Sequence, residues 1–226
     1  MYFGMKADLK ARKVNEFRNW YQCTRLCESC LAEKPAKRNN PGMDFRNLQA
    51  EAPYFYTRLN HEQFLKFDRA PPWSCVPGFR IETVSLDFMH NVYLGLGRDV
   101  VSSSLGMLLL AGVYDKYGRT AEEKLQGVWE QMRSDCQRHG IHICKPGFTL
   151  ANTHLDGEGY AELGSRFKAA NVKNMLWWLC RETRRVADEL ADRPVQVLAT
   201  LCWALQRCIE LMDSADLLFN DDDAFE

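Results

Sequence analysis

The sequence predicts a mainly α-helical protein, in which a helical domain follows a cysteine-rich, loop-rich N-terminal part. Apolar residues recur with the 3.6-residue helical period through most of 83–213. Proline, glycine and asparagine concentrate between 34 and 82, where they break any regular pattern. No internal repeat or strand-dominated stretch is present. We therefore divide the chain into an N-terminal region at 1–82, an α-helical domain at 83–213 and an acidic tail at 214–226.

The individual elements follow from local signals. Thr120 and Glu123 form a capping box at a helix start, and Gly140 stands just beyond the expected end of that helix. Pro194 suits the first position of the last helix. The predicted elements are helices at 3–21, 60–67, 86–112, 121–138, 166–191 and 194–213, and a short strand at 141–144.

Composition and charge exclude several classes of protein. The 226 residues are 46% hydrophobic and 26% charged with a net charge of -1, which excludes wholesale disorder, collagen and a coiled-coil rod. A net charge this close to zero also excludes a uniformly basic nucleic-acid binder, so any such site must be a local patch. The apolar run at 100–113 is 14 residues long. A membrane span needs about 20, so we expect a buried helix and no membrane partner.

Nine cysteines are spread along a chain that shows no apolar stretch of signal-peptide length at its start. We therefore expect an intracellular protein with reduced thiols. Cys23, Cys27 and Cys30 form a C-x3-C-x2-C pattern, whose C-x-x-C part lets two thiolates face one metal ion. The pattern predicts a structural zinc ion, with three reduced cysteines at a helix end as the alternative. The sequence leaves three candidates for a fourth ligand, namely Cys75, His61 and His90.

The last helix carries an apolar stripe that we expect to be core. Its members recur at helical spacing and include two further cysteines. The stripe consists of Leu198, Leu201, Cys202, Leu205, Cys208, Ile209 and Met212.

Asp87 and His90 stand three residues apart at the start of the helix predicted at 86–112. In an α-helix this spacing places both side chains on one face, where a carboxylate raises the basicity of a histidine. Such a pair could hold a phosphate or orient a base. The alternative is that Asp87 caps the helix and His90 is half-buried.

The helix predicted at 166–191 has a basic face about 120° wide at the period of 3.6 residues. Cations neutralise phosphates and an indole stacks on bases, so this face is a candidate nucleic-acid site. It consists of Arg166, Lys173, Trp177, Arg181, Arg184 and Arg185. The opposite face is a predicted core stripe of Val172, Met175, Leu176, Leu179, Val186 and Leu190. Alternatively, the basic face is ordinary solvated surface, Trp177 packs under a neighbouring helix, or the acidic tail pairs with the cations.

Two motifs resemble a known family. A C-x-x-C followed by "LDFMHNVYLGLGRDVV" is similar to cut-and-paste DNA transposases of the CACTA and Plavaka type, and to transposon-derived families of protists. The segment "RFKAANVKNMLWWL" resembles a lysine-containing helix of the same proteins. The resemblance implies DNA as partner, a nuclear location and an RNase H-like fold. It also implies three catalytic acids that hold two metal ions.

The sequence departs from that family at the catalytic acids. The family places two of them upstream of the C-x-x-C, where only 26 residues precede Cys27, and Asp8 and Glu16 fall in a predicted helix. No motif supports Glu182 or Glu210 as the third acid. We therefore expect a transposase-derived, DNA-interacting helical segment without a complete catalytic triad. The alternatives are a helical protein-interaction or scaffold module and an intact nuclease whose other acids are not identified.

Overall fold

A computed structural model describes residues 5–7, 27, 30–34, 43–47, 49–66, 72–86, 88–144, 147–157 and 159–214. The fold is mainly α-helical, as predicted. The chain divides into two compact units, Met1–His90 and Asn91–Glu226.

The first unit contains short elements. Strand β1, Met5–Ala7, pairs in parallel with β2, Val84–Leu86, so that Met5 lies opposite Val84. The helix predicted at 3–21 is therefore wrong at these three residues, because their backbone groups pair with β2. Residues 8–21 lie outside the described part of the chain. The described residues of this unit also form three 3₁₀ turns, at Pro53–Thr57, Pro72–Cys75 and Ile81–Thr83.

The short helix predicted at 60–67 is confirmed as α1, His61–Leu65. It begins at a capping box. The Asn60 side chain accepts a hydrogen bond from the Gln63 backbone N–H, and the Gln63 side chain accepts one from the Asn60 backbone N–H. Phe64 of α1 packs with Phe79 and Ile81 in a small apolar cluster.

The second unit is built from helices. A π-helical segment, Met89–Leu96, crosses the unit boundary at His90 and leads into α2, Gly97–Leu110. A 3₁₀ turn at Asp115–Tyr117 precedes α3, Ala121–Arg138. The short α4, Leu150–Thr153, precedes two long helices, α5 at Ala169–Glu189 and α6 at Arg193–Ser214. Helix α5 packs against α2, α3 and α6. The core of the unit lies around it.

The capping box at Thr120 is confirmed. The Thr120 hydroxyl accepts a hydrogen bond from the Glu123 backbone N–H, and the Glu123 carboxylate accepts one from the Thr120 backbone N–H. Helix α3 begins at Ala121, directly after Thr120. Gly140 has a φ of 70°, which suits a glycine after a helix end.

The strand predicted at 141–144 is wrong, because its backbone groups pair with side chains of α5. The Cys144 N–H donates to the Asn171 side chain at 3.3 Å, and the Asn174 side chain donates to the His142 carbonyl at 3.0 Å. The backbone N–H and carbonyl groups that a neighbouring strand would pair with are therefore already hydrogen-bonded to side chains of α5.

The helix predicted at 86–112 is α-helical only from Gly97 onward. Gly95, with φ -102° and ψ -106°, is a non-helical kink within the preceding π-helical segment. Gly97 lies where α2 crosses α5, and a Cβ there would stand 2.8 Å from the Val92 carbonyl oxygen and 3.0 Å from Val172. Only glycine allows this approach. The apolar run at 100–113 is a buried helix for most of its length, with Ser102 and Ser104 fully buried.

The stripe predicted on α6 is correct for four of its residues. Leu198, Leu205, Ile209 and Cys202 are buried. The prediction is wrong for the other three, since Leu201 is 45% and Met212 is 38% exposed, and Cys208 is also exposed. Helix α6 has apolar residues on two sides, and the bundle covers only one of them.

Candidate nucleic-acid interface

The orientation of α5 follows from its apolar stripe. Five of the six predicted core residues are buried, namely Val172, Met175, Leu176, Leu179 and Val186. Leu190 is 37% exposed, because α5 ends at Glu189 and Leu190 is its C-terminal cap. The opposite side of α5 therefore faces outward, as the sequence predicts.

The predicted basic face is shorter than the sequence indicates. Arg166 lies in a turn before α5, which begins at Ala169, so Arg166 does not belong to a helical face. The remaining five residues of the face, Lys173, Trp177, Arg181, Arg184 and Arg185, all lie on α5.

Lys173 is neutralised by a residue of α6. Its Nζ lies 2.5 Å from Asp213 Oδ2 and 5.9 Å from the centre of the Tyr93 ring. Burial lowers the pKa of Lys173, but the hydrogen bond to Asp213 and the proximity of Tyr93 outweigh it and raise the pKa overall. Lys173 is thus a charged residue already engaged with a carboxylate.

Arg185 is also compensated within α5. Its guanidinium donates to the buried Glu182 at 2.8 Å and to Glu189 at 2.6 Å. These hydrogen bonds hold the pKa of Arg185 above its ordinary value. Gln131 of α3 donates to the second Glu182 oxygen at 3.3 Å. Two carboxylates therefore offset the charge of this arginine.

Arg181 and Arg184 keep their positive charge available. Both are exposed, and neither makes an ion pair with any residue that the structure describes. They lie three residues apart, one turn of α5 from each other, so both guanidinium groups point to the same side. Of the predicted basic face, these two residues alone are uncompensated and on the helix.

A groove of about 840 Å³ runs between α5 and α6 beside these two arginines. We call it the arginine groove. Trp203 of α6, 58% exposed, forms part of its opposite wall. The groove is lined by Cys180, Arg181, Arg184, Arg185, Ala187, Asp188, Gln196, Ala199, Thr200 and Trp203. Arg185 is offset by Glu182 and Glu189, so Arg181 and Arg184 against Asp188 leave this lining positively charged.

The sequence analysis missed Trp203. The signal that identifies it is the position of Trp203 outside the buried stripe of α6, one residue after Cys202. The prediction instead chose Trp177, which is half-buried in the structure. The Trp177 ring meets His139 edge-on at 5.1 Å, and the Arg181 guanidinium lies 4.8 Å from its centre. Trp177 therefore packs partly under α3 and orients Arg181.

A second, smaller crevice of about 340 Å³ lies between α3 and α5. Asp135 accepts a hydrogen bond from Trp178 Nε1 at 3.0 Å in this crevice. Arg181 and Arg185 line both the crevice and the arginine groove. These two arginines therefore form the ridge that separates them.

The predicted zinc ligands lie only partly within the described residues. Cys27 and Cys30 are half-buried against a cluster of Ala32, Ala52 and Tyr54, whereas Cys23 lies outside the described part. Among the described residues there is no group of three or more metal-ligating side chains. Zinc at Cys23, Cys27 and Cys30 remains a prediction.

The Asp87 and His90 motif is also only partly described. His90 is half-buried and is the second residue of the π-helical segment, while Asp87 lies outside the described residues. The contact between Asp87 and His90 therefore remains a prediction. Single π-helical turns occur frequently at functional sites, which keeps this segment of interest.

Of the two candidates for a third catalytic acid, Glu182 is unsuited to binding a metal ion. Glu182 is 4% exposed, and both of its oxygens accept hydrogen bonds, from Gln131 and Arg185. Glu210 is exposed and accepts from the neighbouring Gln206 at 3.1 Å.

No protein-family model matches the sequence, and neither a curated protein nor a solved structure matches it significantly. Helix α6 is long and apolar enough, by length and composition, to cross a membrane, and 28% of its apolar window is buried within the protein. Amphipathic helices of globular domains meet the same criterion.

Proposed function

We propose that the second unit binds nucleic acid through the arginine groove, and that the chain is a transposase-derived segment that binds DNA without cleaving it. The observation that carries the proposal is the pair of exposed, uncompensated arginines, Arg181 and Arg184, facing the exposed indole of Trp203 across one groove. The motif around His90 supports DNA as the natural partner by its resemblance to transposases.

The residues of the groove have complementary roles. Arginine binds phosphate by paired hydrogen bonds and releases counterions, which gives affinity without sequence preference. An exposed indole stacks on an unpaired base, and every base offers a suitable face. A groove that combines both favours single-stranded nucleic acid, because bases in a duplex are not open to stacking on Trp203.

The proposal excludes cleavage by this chain. Glu182 is buried and engaged with Arg185, so it cannot converge on a metal ion with other acids. We therefore expect no Mg²⁺-dependent nicking of supercoiled DNA. Nicking that survives purification and depends on Mg²⁺ would contradict this part of the proposal and favour an intact nuclease.

The groove is tested by fluorescence anisotropy with a labelled single strand and the matching duplex, titrated at several KCl concentrations. With two phosphates contacted, log affinity for duplex should fall with log salt at a slope of about -2. Replacing Arg181 or Arg184 by Ala should flatten that slope by about one.

The matched control is Arg133→Ala. Arg133 is an exposed arginine of α3 that lines neither the arginine groove nor the crevice. Binding that is insensitive to salt, or equally weakened by Arg133→Ala, would overturn the proposal.

A helical protein-interaction or scaffold module is the alternative function. The observation in its favour is the uncovered apolar side of α6, with Val197 at 54% and Leu201 at 45% exposed. Absence of nucleic-acid binding by the parent chain at every KCl concentration would favour this alternative.

A further inference from the structure

Helix α6 presents an uncovered row of apolar residues on the side that does not pack against the bundle. The row repeats in alternating steps of four and three, which is the spacing of a coiled-coil seam. We call it the outer seam, and it consists of Val197, Leu201, Ala204, Cys208 and Leu211. The first four are exposed and Leu211 is half-buried. Globular proteins seldom leave such a row uncovered without a partner.

We propose that the outer seam pairs with the outer seam of a second copy of this chain, antiparallel, in a homodimer. The outer seam runs from Val197 to Leu211 within the 22 residues of α6, which is about two heptads. Each copy then contributes the same row of residues to the interface, as two-fold symmetry requires. Ala204 lies at the middle of the seam, where its small side chain lets two helices approach closely.

The distribution of charge along α6 selects the antiparallel arrangement. Arg193 opens the helix, is exposed and forms no ion pair with the described residues. At the other end of the helix, Glu210 and Asp213 are exposed acids, and no basic residue follows them among the described residues. Antiparallel pairing brings Arg193 of each copy beside the acidic end of the other, whereas parallel pairing would place the acidic ends together and repel.

The surface of the seam offers a place for the partner to dock. A depression of about 530 Å³ lies at its N-terminal half, lined by Arg193, Gln196, Val197, Thr200 and Leu201. Antiparallel pairing about Ala204 brings the Leu211 end of the second copy to this depression. An apolar side chain thus meets Val197 and Leu201.

The test is analytical ultracentrifugation of the full chain from low to high micromolar concentration. We expect a monomer–dimer equilibrium that Leu201→Glu weakens by at least about tenfold, because dimerisation would bury an unpaired carboxylate. Trp203→Glu is the matched control, since Trp203 is comparably exposed on the same helix but faces the arginine groove. It should leave the dimer unchanged. Circular dichroism melts of both variants check that the fold is intact.

Arg193→Glu tests the direction of the pairing. It should weaken an antiparallel dimer by placing like charges together. An unchanged or tighter dimer with Arg193→Glu would overturn the antiparallel arrangement. A monomer at every concentration, or a dimer indifferent to Leu201→Glu, would overturn the proposal. Binding of the monomer to lipid vesicles, abolished by Leu201→Glu, would assign the seam to a membrane surface and equally overturn it. None of these outcomes depends on nucleic-acid binding, which requires Arg181 and Arg184.

Discussion

Lys173 near the start of α5 and Asp213 near the end of α6 form an ion pair across the helical hairpin, with Nζ and Oδ2 2.5 Å apart. Both side chains are partly exposed, at 37% and 49%. An ion pair of this exposure contributes about 0.2–1 kcal/mol to stability. Its larger effect is on function, because it removes one cation from the basic face of α5.

We expect Asp213→Asn to release Lys173 and tighten nucleic-acid binding. The salt dependence of log affinity should steepen by about one, since one more phosphate can be neutralised. Anisotropy titrations against KCl measure this slope. Glu210→Gln removes an equal charge from the same helix and should have a smaller effect, because Glu210 does not touch Lys173. Equal effects of the two variants would show that only net charge matters.

Trp203 and Trp177 should behave differently when replaced by Ala. Trp203→Ala should weaken single-strand binding by about 1–3 kcal/mol and leave the salt slope unchanged, since the indole stacks but carries no charge. Trp177→Ala should mainly cost stability, because Trp177 packs on His139 and Arg181. The loss should be about 0.5–1.5 kcal/mol from the aromatic contact. Urea unfolding combined with anisotropy separates the two effects. Trp203→Ala that lowers stability but not affinity would contradict the assigned role.

The sequence predicts well what depends on neighbours in the chain. The start of α3 is correct because Thr120 and Glu123 satisfy each other's backbone within one turn. The buried side of α5 is correct because one apolar stripe stands opposite one polar face. Helix α6 has two apolar sides, so periodicity alone does not determine that Leu198 is buried and Leu201 exposed.

The candidate site was harder to predict because its geometry depends on tertiary contacts. Nothing near Lys173 in the sequence identifies Asp213 as its partner, since 40 residues separate them. Trp203 faces Arg184 only because the short turn after Glu189 sets α6 beside α5. The sequence therefore predicts a larger basic face than the structure retains, because ion pairs neutralise part of it.

Two buried thiols give stability a specific dependence on alkaline pH. Burial raises the pKa of Cys136 and of Cys202 from 9.0 to about 11, with Ser104 and Thr183 opposing the rise at Cys202. The folded state therefore holds both protons between pH 9 and about 11 while the unfolded state loses them. Stability is fully present below about pH 9 and falls as pH rises through this window.

The slope of that fall is measurable. Each thiol lowers the free energy of unfolding by up to about 1.4 kcal/mol per pH unit between pH 9 and about 11. Urea unfolding at a series of pH values should show a shallower fall for Cys202→Ala than for the parent chain. Cys144→Ala is the control, because Cys144 is exposed. Identical slopes in all three proteins would show that burial does not raise the pKa of the Cys202 thiol in the folded state.

Zinc is tested by metal analysis of purified protein. Cys23, Cys27 and Cys30 should hold about one zinc ion per chain, since their spacing suits a tetrahedral thiolate site. Cys27→Ser and Cys30→Ser should each lower the zinc content, whereas Cys144→Ser should not. Parent protein with well below one zinc per chain would leave these cysteines as reduced thiols of the first unit.

The tight connection between α5 and α6 also bears on how the second unit folds. The two helices are joined across residues 190–192, so their contacts close a short loop. By contrast, Arg98 donates to the Leu163 carbonyl 65 residues away, and Ser102 to the Thr153 carbonyl 51 residues away. Contacts of low sequence separation form with the least loss of chain entropy. We therefore expect the hairpin that carries the arginine groove and the outer seam to form early in folding, before the contacts of α2 that close longer loops.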